Sequence, residues 1–395
     1  MNYIENKIEK ELKQLNESGD FRYLPNIKHD GKFISAYING KERTMLNLSS
    51  NDYLGIASDK NIQEDFIEKN NINEYSLTSS SSRLLTGNFS IYTETEGLIA
   101  RKFGKESALL FSSGYQMNTG ILPAITDKNT LILADKLVHA SIIDGIRLSS
   151  SQCIRYRHMD YEQIEMLVKK YYNKFNSIII VTESVFSMDG DITDLKRLIA
   201  IKKSYHSVML YVDEAHGIGV RGDRGLGVAE EQDCINEIDF LCGTLGKALA
   251  SAGAYVVCSK NIKEYLVNKM RSFIFTTALP PLNIAWTKYL FSRLEEFDGR
   301  REHLSVISKL LINKIRSYNV DCVSDSHIVP LILGCNDKAI YGASYMQNEG
   351  FYVLPIRQPT VPAGTERLRL SLSANITVKE ANKINNAIDY LIHSI

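Results

Sequence analysis

The feature that most constrains this fold is a series of short apolar runs set between amphipathic stretches, at 108–111, 130–133, 177–181, 208–212, 240–241 and 254–257. The runs are β-branched or apolar on both faces, which suits strands of a mostly parallel sheet covered by helices on either side. Between them, 161–171 and 193–203 carry helical periodicity, with Thr193 a candidate N-cap. The pattern predicts an α/β, doubly wound architecture. Ile4, Ile8, Leu12 and Leu15 recur at helical spacing, so 3–17 should form an amphipathic helix lying on a larger body. After Pro280 and Pro281 the character changes. A long helical stretch over 282–297 leads into a unit that mixes helices with strands near 328–333 and 368–372. The expected organisation is an N-terminal arm (1–45), a large α/β domain (46–281) and a small C-terminal α+β domain (282–395), with no internal repeats.

At 395 residues the chain can bury a large core. Lys plus Arg equals Asp plus Glu at 46 each, so composition supplies no pull toward nucleic acid or an anionic membrane, and small molecules become the expected partners. Cys153, Cys234, Cys242, Cys258, Cys322 and Cys335 form no C-x-x-C pair and read as reduced core thiols, with no metal site expected. The N-terminus is charged within a few residues and leads into no apolar stretch of signal length. No run approaches the ~20 apolar residues of a membrane span. A cytoplasmic protein is expected.

The chemistry gathers in an ordered set, Ser113-Gly114-Tyr115, His139, Ser187, Asp213-Glu214-Ala215-His216 and Thr244-Leu245-Gly246-Lys247, each at or just after an expected strand. In an open α/β sheet, ligands bind beyond the carboxyl ends of the strands, so the pieces can converge. Asp213 closes the run 208–212. A carboxylate there can keep a pyridine nitrogen protonated, which lets the ring accept a carbanion's electrons. An isolated strand-end Asp is more often a helix cap, but His216, three residues on, could reach a ring oxygen from the same turn. Lys247 follows a second strand among Gly246, Ala248, Ala250 and Gly253, small residues that leave room for a bulky group. Crowding and partial desolvation release a lysine's proton, and only the neutral amine forms a Schiff base. The cofactor these residues suit is pyridoxal 5'-phosphate.

Ser112 to Asn118 has the look of a helix start whose free N–H groups make a phosphate site, with Gly114 allowing close approach. Thr244, Thr276 and Thr277 are further hydroxyl donors. His139 could stack on the pyridine face; alone, it would read as a histidine that merely opens a helix.

Together, the segments 50–55, 111–115, 186–191, 212–217, 243–247 and 359–365 resemble the α-oxoamine synthases, pyridoxal-phosphate enzymes of fold type I that join an amino acid to an acyl-CoA with loss of carbon dioxide. The resemblance spans nearly the whole chain. Segments 275–281 and 359–369 look most like the member that joins L-alanine to pimeloyl-CoA or a pimeloyl-carrier protein in biotin biosynthesis. The resemblance implies Lys247 as covalent anchor and α-proton base, Asp213 at the ring nitrogen, His139 on the ring face, and Ser187 and His216 near the 3-oxygen. It also implies Arg369 on the amino-acid carboxylate, Arg22 and Thr360 on the acyl side, Asn51 at the substrate, and Thr276 and Thr277 on the phosphate held by the neighbouring subunit, hence a homodimer. Sister synthases that take glycine or L-serine share this core, as do aminotransferases in part; a non-catalytic cofactor-binding module would leave Arg22, His139 and Arg369 without a task. The chain departs from the family at Ser79–Ser82, where a glycine-rich stretch is usual, at Tyr92, where histidine is common, and at Ala250, where glycine is common.

Overall fold

The computed structural model describes residues 2–394 apart from Gly19, Asp20, Tyr23 and Asn39. The helix Tyr3–Glu17 opens with a capping box between Asn2 and Glu5. It is followed by an antiparallel meander, β1 (Ile27–Asp30), β2 (Phe33–Ile38) and β3 (Lys41–Asn47). The apolar runs then become strands of one seven-stranded sheet: β4 (Ser107–Phe111), β5 (Thr130–Asp135), β6 (Gln152–Tyr156), β7 (Ser177–Glu183), β8 (Val208–Asp213), β9 (Phe240–Thr244) and β10 (Ala254–Cys258). The last part holds β11 (Ile328–Ile332), β12 (Phe351–Tyr352), β13 (Pro355–Ile356) and β14 (Arg367–Ser371).

The central sheet runs β4-β10-β9-β8-β7-β5-β6. Every neighbouring pair from β9 to β6 is parallel, and β10 alone is reversed, antiparallel to both β4 and β9. Six strands therefore end at the same edge. Successive residues feed opposite faces, as the period of two requires. Leu131, Leu133, Ile178, Ile180, Leu210 and Val212 pack into one apolar cluster, while Ile132, Ala134, Ile179, Val181 and Tyr211 pack into another. Burial on both faces explains why these runs show no polar alternation. A smaller sheet, β11-β14-β13, sits in the C-terminal part, and β12 pairs parallel with β3, so the N-terminal meander is completed by a strand some 300 positions later.

Four sequence expectations need correction. The helix Tyr3–Glu17 forms over the predicted span but buries none of its residues, and Tyr3, Ile4, Ile8, Leu12 and Leu15 stay exposed. Within one chain it gains none of the ~1.5–3 kcal/mol that burying a large apolar side chain supplies. Thr193 is not the cap of the next helix, which runs Leu195–Lys203. Asp194 caps it by accepting the Arg197 N–H, while the buried Thr193 hydroxyl donates to the Glu183 carbonyl at 2.6 Å. The stretch 282–297 is interrupted: an α-helix, Pro281–Ser292, tightens at Arg293 into the 3-10 turn Leu294–Phe297, with the Arg293 N–H donating three residues back to Leu290. All six cysteines are free, but Cys335 is exposed and not a core residue. Among the described residues, no helix is long and apolar enough to cross a membrane.

Candidate active site

Asp213 ends β8 and is 3% exposed. No helix starts there for it to cap; its Oδ1 accepts the Ala215 N–H at 2.9 Å and its Oδ2 accepts Asn118 Nδ2 at 2.9 Å. Asn118 in turn accepts the Tyr211 hydroxyl at 2.6 Å and donates to Ser141 Oγ at 3.0 Å. These contacts need the helices Gly114–Ile125 and Ala140–Leu148 to touch. Gly145 permits it, since a Cβ there would lie 2.2 Å from the Asn118 carbonyl oxygen. Sequence reading missed Asn118 and Ser141, whose part depends on contact between two helices that no local pattern announces.

Lys247, just past β9, places Nζ 2.8 Å from His216 Nε2. His216 Nδ1 lies 2.7 Å from Tyr53 Oη, which also meets Asn51 Oδ1 at 3.0 Å and Arg369 Nη2 at 3.3 Å. Burial lowers the Lys247 pKa to about 8, against the opposing pull of Asp213 and Glu183. Burial first, and the Lys247 charge second, hold His216 well below the usual histidine range. Arg369, on β14, is fixed by Nε to the Ser187 carbonyl at 2.5 Å and by Nη1 to Ser371 Oγ at 2.5 Å.

His139 opens the helix Ala140–Leu148 as its N-cap, and it also lines the cleft. Its Nδ1 accepts the Ser141 N–H at 3.2 Å, and burial lowers its pKa. Its backbone N–H donates to Glu183 Oε1 at 2.5 Å. Glu183, at the end of β7 and absent from the sequence-based candidates, is pushed up to about 8 by burial and then by the Asp213 charge. A second group missed in the sequence is His158, which bridges Asp135 Oδ1 at 3.0 Å and Asp191 Oδ2 at 2.6 Å. Burial opposes its charge, but the two carboxylates outweigh that and raise it to about 10. It thereby ties the end of β5, four residues before His139, to the turn that carries Ser187.

Asn51, Ser113, Gly114, Tyr115, His139, Asp213, His216, Thr244 and Lys247 line a cavity of about 440 Å³. Ser113 caps the helix Gly114–Ile125 through Gln116 N at 3.0 Å, and a Cβ on Gly114 would stand 2.5 Å from Thr244 Cγ2. The first-turn N–H groups have no intrahelical partners, an arrangement suited to a phosphate. The Tyr115 hydroxyl is bonded to Asp144 at 2.6 Å. An adjoining cavity of about 530 Å³ shares His139 and adds Ser187 and Thr360. Three expected residues lie elsewhere: Arg22 is exposed beyond the N-terminal helix, Thr277 is exposed, and Thr276 is half-buried in a small recess with Arg83 and Ser112. A larger cavity, about 780 Å³ between 220–223 and the helix Asp298–Arg316, holds none of the expected residues. Size alone would misplace the site.

A carboxyl fixed at both oxygens, a buried amine of lowered basicity, two imidazoles lining the same cavity and a glycine-opened helix start fit a phosphorylated pyridine aldehyde. The model of the family described as aminotransferase class I and II matches residues 43–388. A protein of Glaesserella parasuis serovar 5 named "Putative 8-amino-7-oxononanoate synthase" is 56% identical over 376 residues, covering 95% of this chain and 98% of the relative. The chain belongs to the α-oxoamine synthases, within that aminotransferase family. Among solved structures, serine palmitoyltransferase from S. paucimobilis with a bound PLP–myriocin aldimine is similar to this α-oxoamine synthase with a TM-score of 0.88 and 27% identity, over 100% of this chain and 99% of that one. For 8-amino-7-oxononanoate synthase from Francisella tularensis the TM-score is 0.76 and the identity 28%, over 89% and 97%.

The departures of this synthase from the family pattern acquire structural meaning. Ala250 has φ +44° and Ser80 φ +47°, both in the left-handed region where glycine is unstrained. Tyr92 donates its hydroxyl to the Leu279 carbonyl at 3.0 Å, with the Arg83 guanidinium 4.2 Å above its ring.

Proposed function

We propose that the chain catalyses the decarboxylative condensation of L-alanine with pimeloyl-CoA or pimeloyl-carrier protein to 8-amino-7-oxononanoate, using pyridoxal 5'-phosphate held at Lys247. The observation that carries this reading is that Lys247 and Asp213 line one cleft and that Arg369 is joined to it through Tyr53, whose hydroxyl meets both Arg369 and the His216 ring beside Lys247. When bound, the cofactor supplies an electron-accepting ring. Lys247 anchors it and, once displaced, takes the proton from the alanine Cα. Asp213 would hold the ring nitrogen in its protonated form, His139 would pack on the ring, and Ser187 and His216 would serve the 3-oxygen. Gly114, Tyr115 and Thr244 serve the phosphate, joined by Thr276 and Thr277 of the partner subunit in a homodimer.

Arg369 receives the alanine carboxylate. Its two longest contacts, 3.3 Å to Tyr53 and 3.5 Å to Asn51, are the ones a carboxylate can replace with charge-assisted bonds. Asn51 orients the substrate, while Arg22 and Thr360 serve the acyl side. The acyl carbon joins Cα as the thiol leaves, the alanine carboxylate departs as carbon dioxide, and a proton takes its place at Cα. The reaction takes place in the cytoplasm.

The higher TM-score to serine palmitoyltransferase favours a sister reaction with L-serine. The 56% identity outweighs it, because geometry is common to the fold while pocket side chains are set by sequence. Thiol release is measured for L-alanine, glycine and L-serine against pimeloyl-, acetyl-, succinyl- and palmitoyl-CoA. Turnover of alanine with the pimeloyl thioester is expected; turnover of glycine with none of alanine would overturn the assignment.

A further inference from the structure

Tyr53 is fully buried, and its single hydroxyl stands at the junction of three polar groups: His216 Nδ1 at 2.7 Å, Asn51 Oδ1 at 3.0 Å and Arg369 Nη2 at 3.3 Å. Proton counting at that junction favours one arrangement over the other. Arg369 only donates, so it takes a lone pair of the phenol oxygen. Asn51 Oδ1 only accepts, and its other donor, Arg369 Nη1, is distant at 3.5 Å, so it needs the phenol proton. The phenol then has no proton to give His216, and Nδ1 must donate to it. The neutral imidazole thus carries its hydrogen on Nδ1 and presents a lone pair at Nε2.

The far side of the ring agrees. An ammonium on Lys247 is a donor only, and 2.8 Å away it requires a lone pair on Nε2. Burial and the Lys247 charge keep the ring neutral, so a single hydrogen is being placed. The opposite tautomer would set two donors against each other at Nε2 and leave Asn51 Oδ1 short of a hydrogen.

We propose that Tyr53 is a positioning residue: with Asn51 and Arg369 it holds the His216 hydrogen on Nδ1 and keeps Nε2 a hydrogen-bond acceptor facing the Lys247 side of the cleft. Once Lys247 is committed to the cofactor its ammonium no longer constrains Nε2, and the Tyr53 side alone fixes the tautomer. The acceptor's use depends on the proposed function, since a ring oxygen bearing hydrogen is what it would receive. The tautomer itself does not depend on that reading.

The test is nitrogen NMR of the full-length holoenzyme labelled with 15N-histidine, with His216 assigned by its loss in His216→Gln. The wild type should show a bonded hydrogen on Nδ1 and none on Nε2, while Tyr53→Phe should move it wholly or partly to Nε2. If Tyr53→Phe does not fold, Asn51→Ala takes its place. There the phenol has only Nδ1 left to donate to, and the hydrogen should again shift to Nε2. A wild-type hydrogen on Nε2, or a folded variant that keeps it fully on Nδ1, overturns the proposal. Failure of the substrate panel with an unchanged NMR result would instead count against the reaction and leave the positioning role standing.

Discussion

Lys247 and His216 meet at 2.8 Å with the amine brought down to about 8 and the imidazole held well below its usual range, burial being the main cause for both. An amine in that state is a donor to its neighbour at neutral pH and a nucleophile a little above it. The rate at which apoprotein takes up the cofactor should therefore rise about tenfold per pH unit below 8 and level off above it, because only the neutral amine attacks. Stopped-flow absorbance of cofactor loading measures this. Lys247→Ala should lose the visible absorbance of the anchored cofactor and, through the missing base alone, about 10²–10⁴-fold in turnover.

Arg369 holds its guanidinium plane with Ser187 and Ser371 while its longer contacts stay exchangeable. Arg369→Lys keeps the charge but not the fork. The KM for the amino acid should rise about tenfold or more, on the scale of one charged hydrogen bond, while the KM for the thioester changes little. Steady-state kinetics varying each substrate separately checks the split.

His158, bonded to Asp135 and Asp191, has its folded-state pKa raised to about 10, above the ordinary unfolded value near 6.5. A pKa raised by folding stabilises fully below the unfolded value, and that stability is lost as pH rises through the folded one. His158→Ala should cost about 3 kcal/mol at neutral pH, where a buried ion pair loses one partner. The gap between wild type and variant in urea unfolding should narrow as pH climbs through 10. A gap that widened with pH would contradict the assignment of charge.

Ala250, at φ +44°, carries a Cβ in a region that disfavours one. Ala250→Gly should relieve about 1 kcal/mol of local strain, minus what the added chain freedom takes back. Urea or thermal unfolding of the holoenzyme should show an equal or higher midpoint, with substrate preference unchanged.

Much of this site was legible because its residues end strands. Asp213, Thr244 and Lys247 follow apolar runs whose double-sided burial leaves a clear mark in the sequence, and parallel order then forces their ends to one edge. Asn118, Ser141, Tyr53 and His158 carried no such mark, and the strand end at Glu183 does not by itself tell a site carboxyl from a structural one. Each acts through a partner far along the chain, 95 positions away for Asn118 and Asp213 and 163 for Tyr53 and His216, so spacing could not reveal them. The exposed stripe on Tyr3–Glu17 shows the opposite limit, since periodicity predicts a helix and its apolar face but not what covers that face.

By itself, then, the sequence determined which residues form strands and which chemical groups stand at their ends, because backbone period and local apolar burial are short-range properties. Only the tertiary structure decided the protonation and aim of those groups. A lysine near pKa 8, a histidine with one proton to place and a carboxyl bonded at both oxygens are consequences of desolvation and of neighbours brought in by packing, and neither exists until the chain has closed around them.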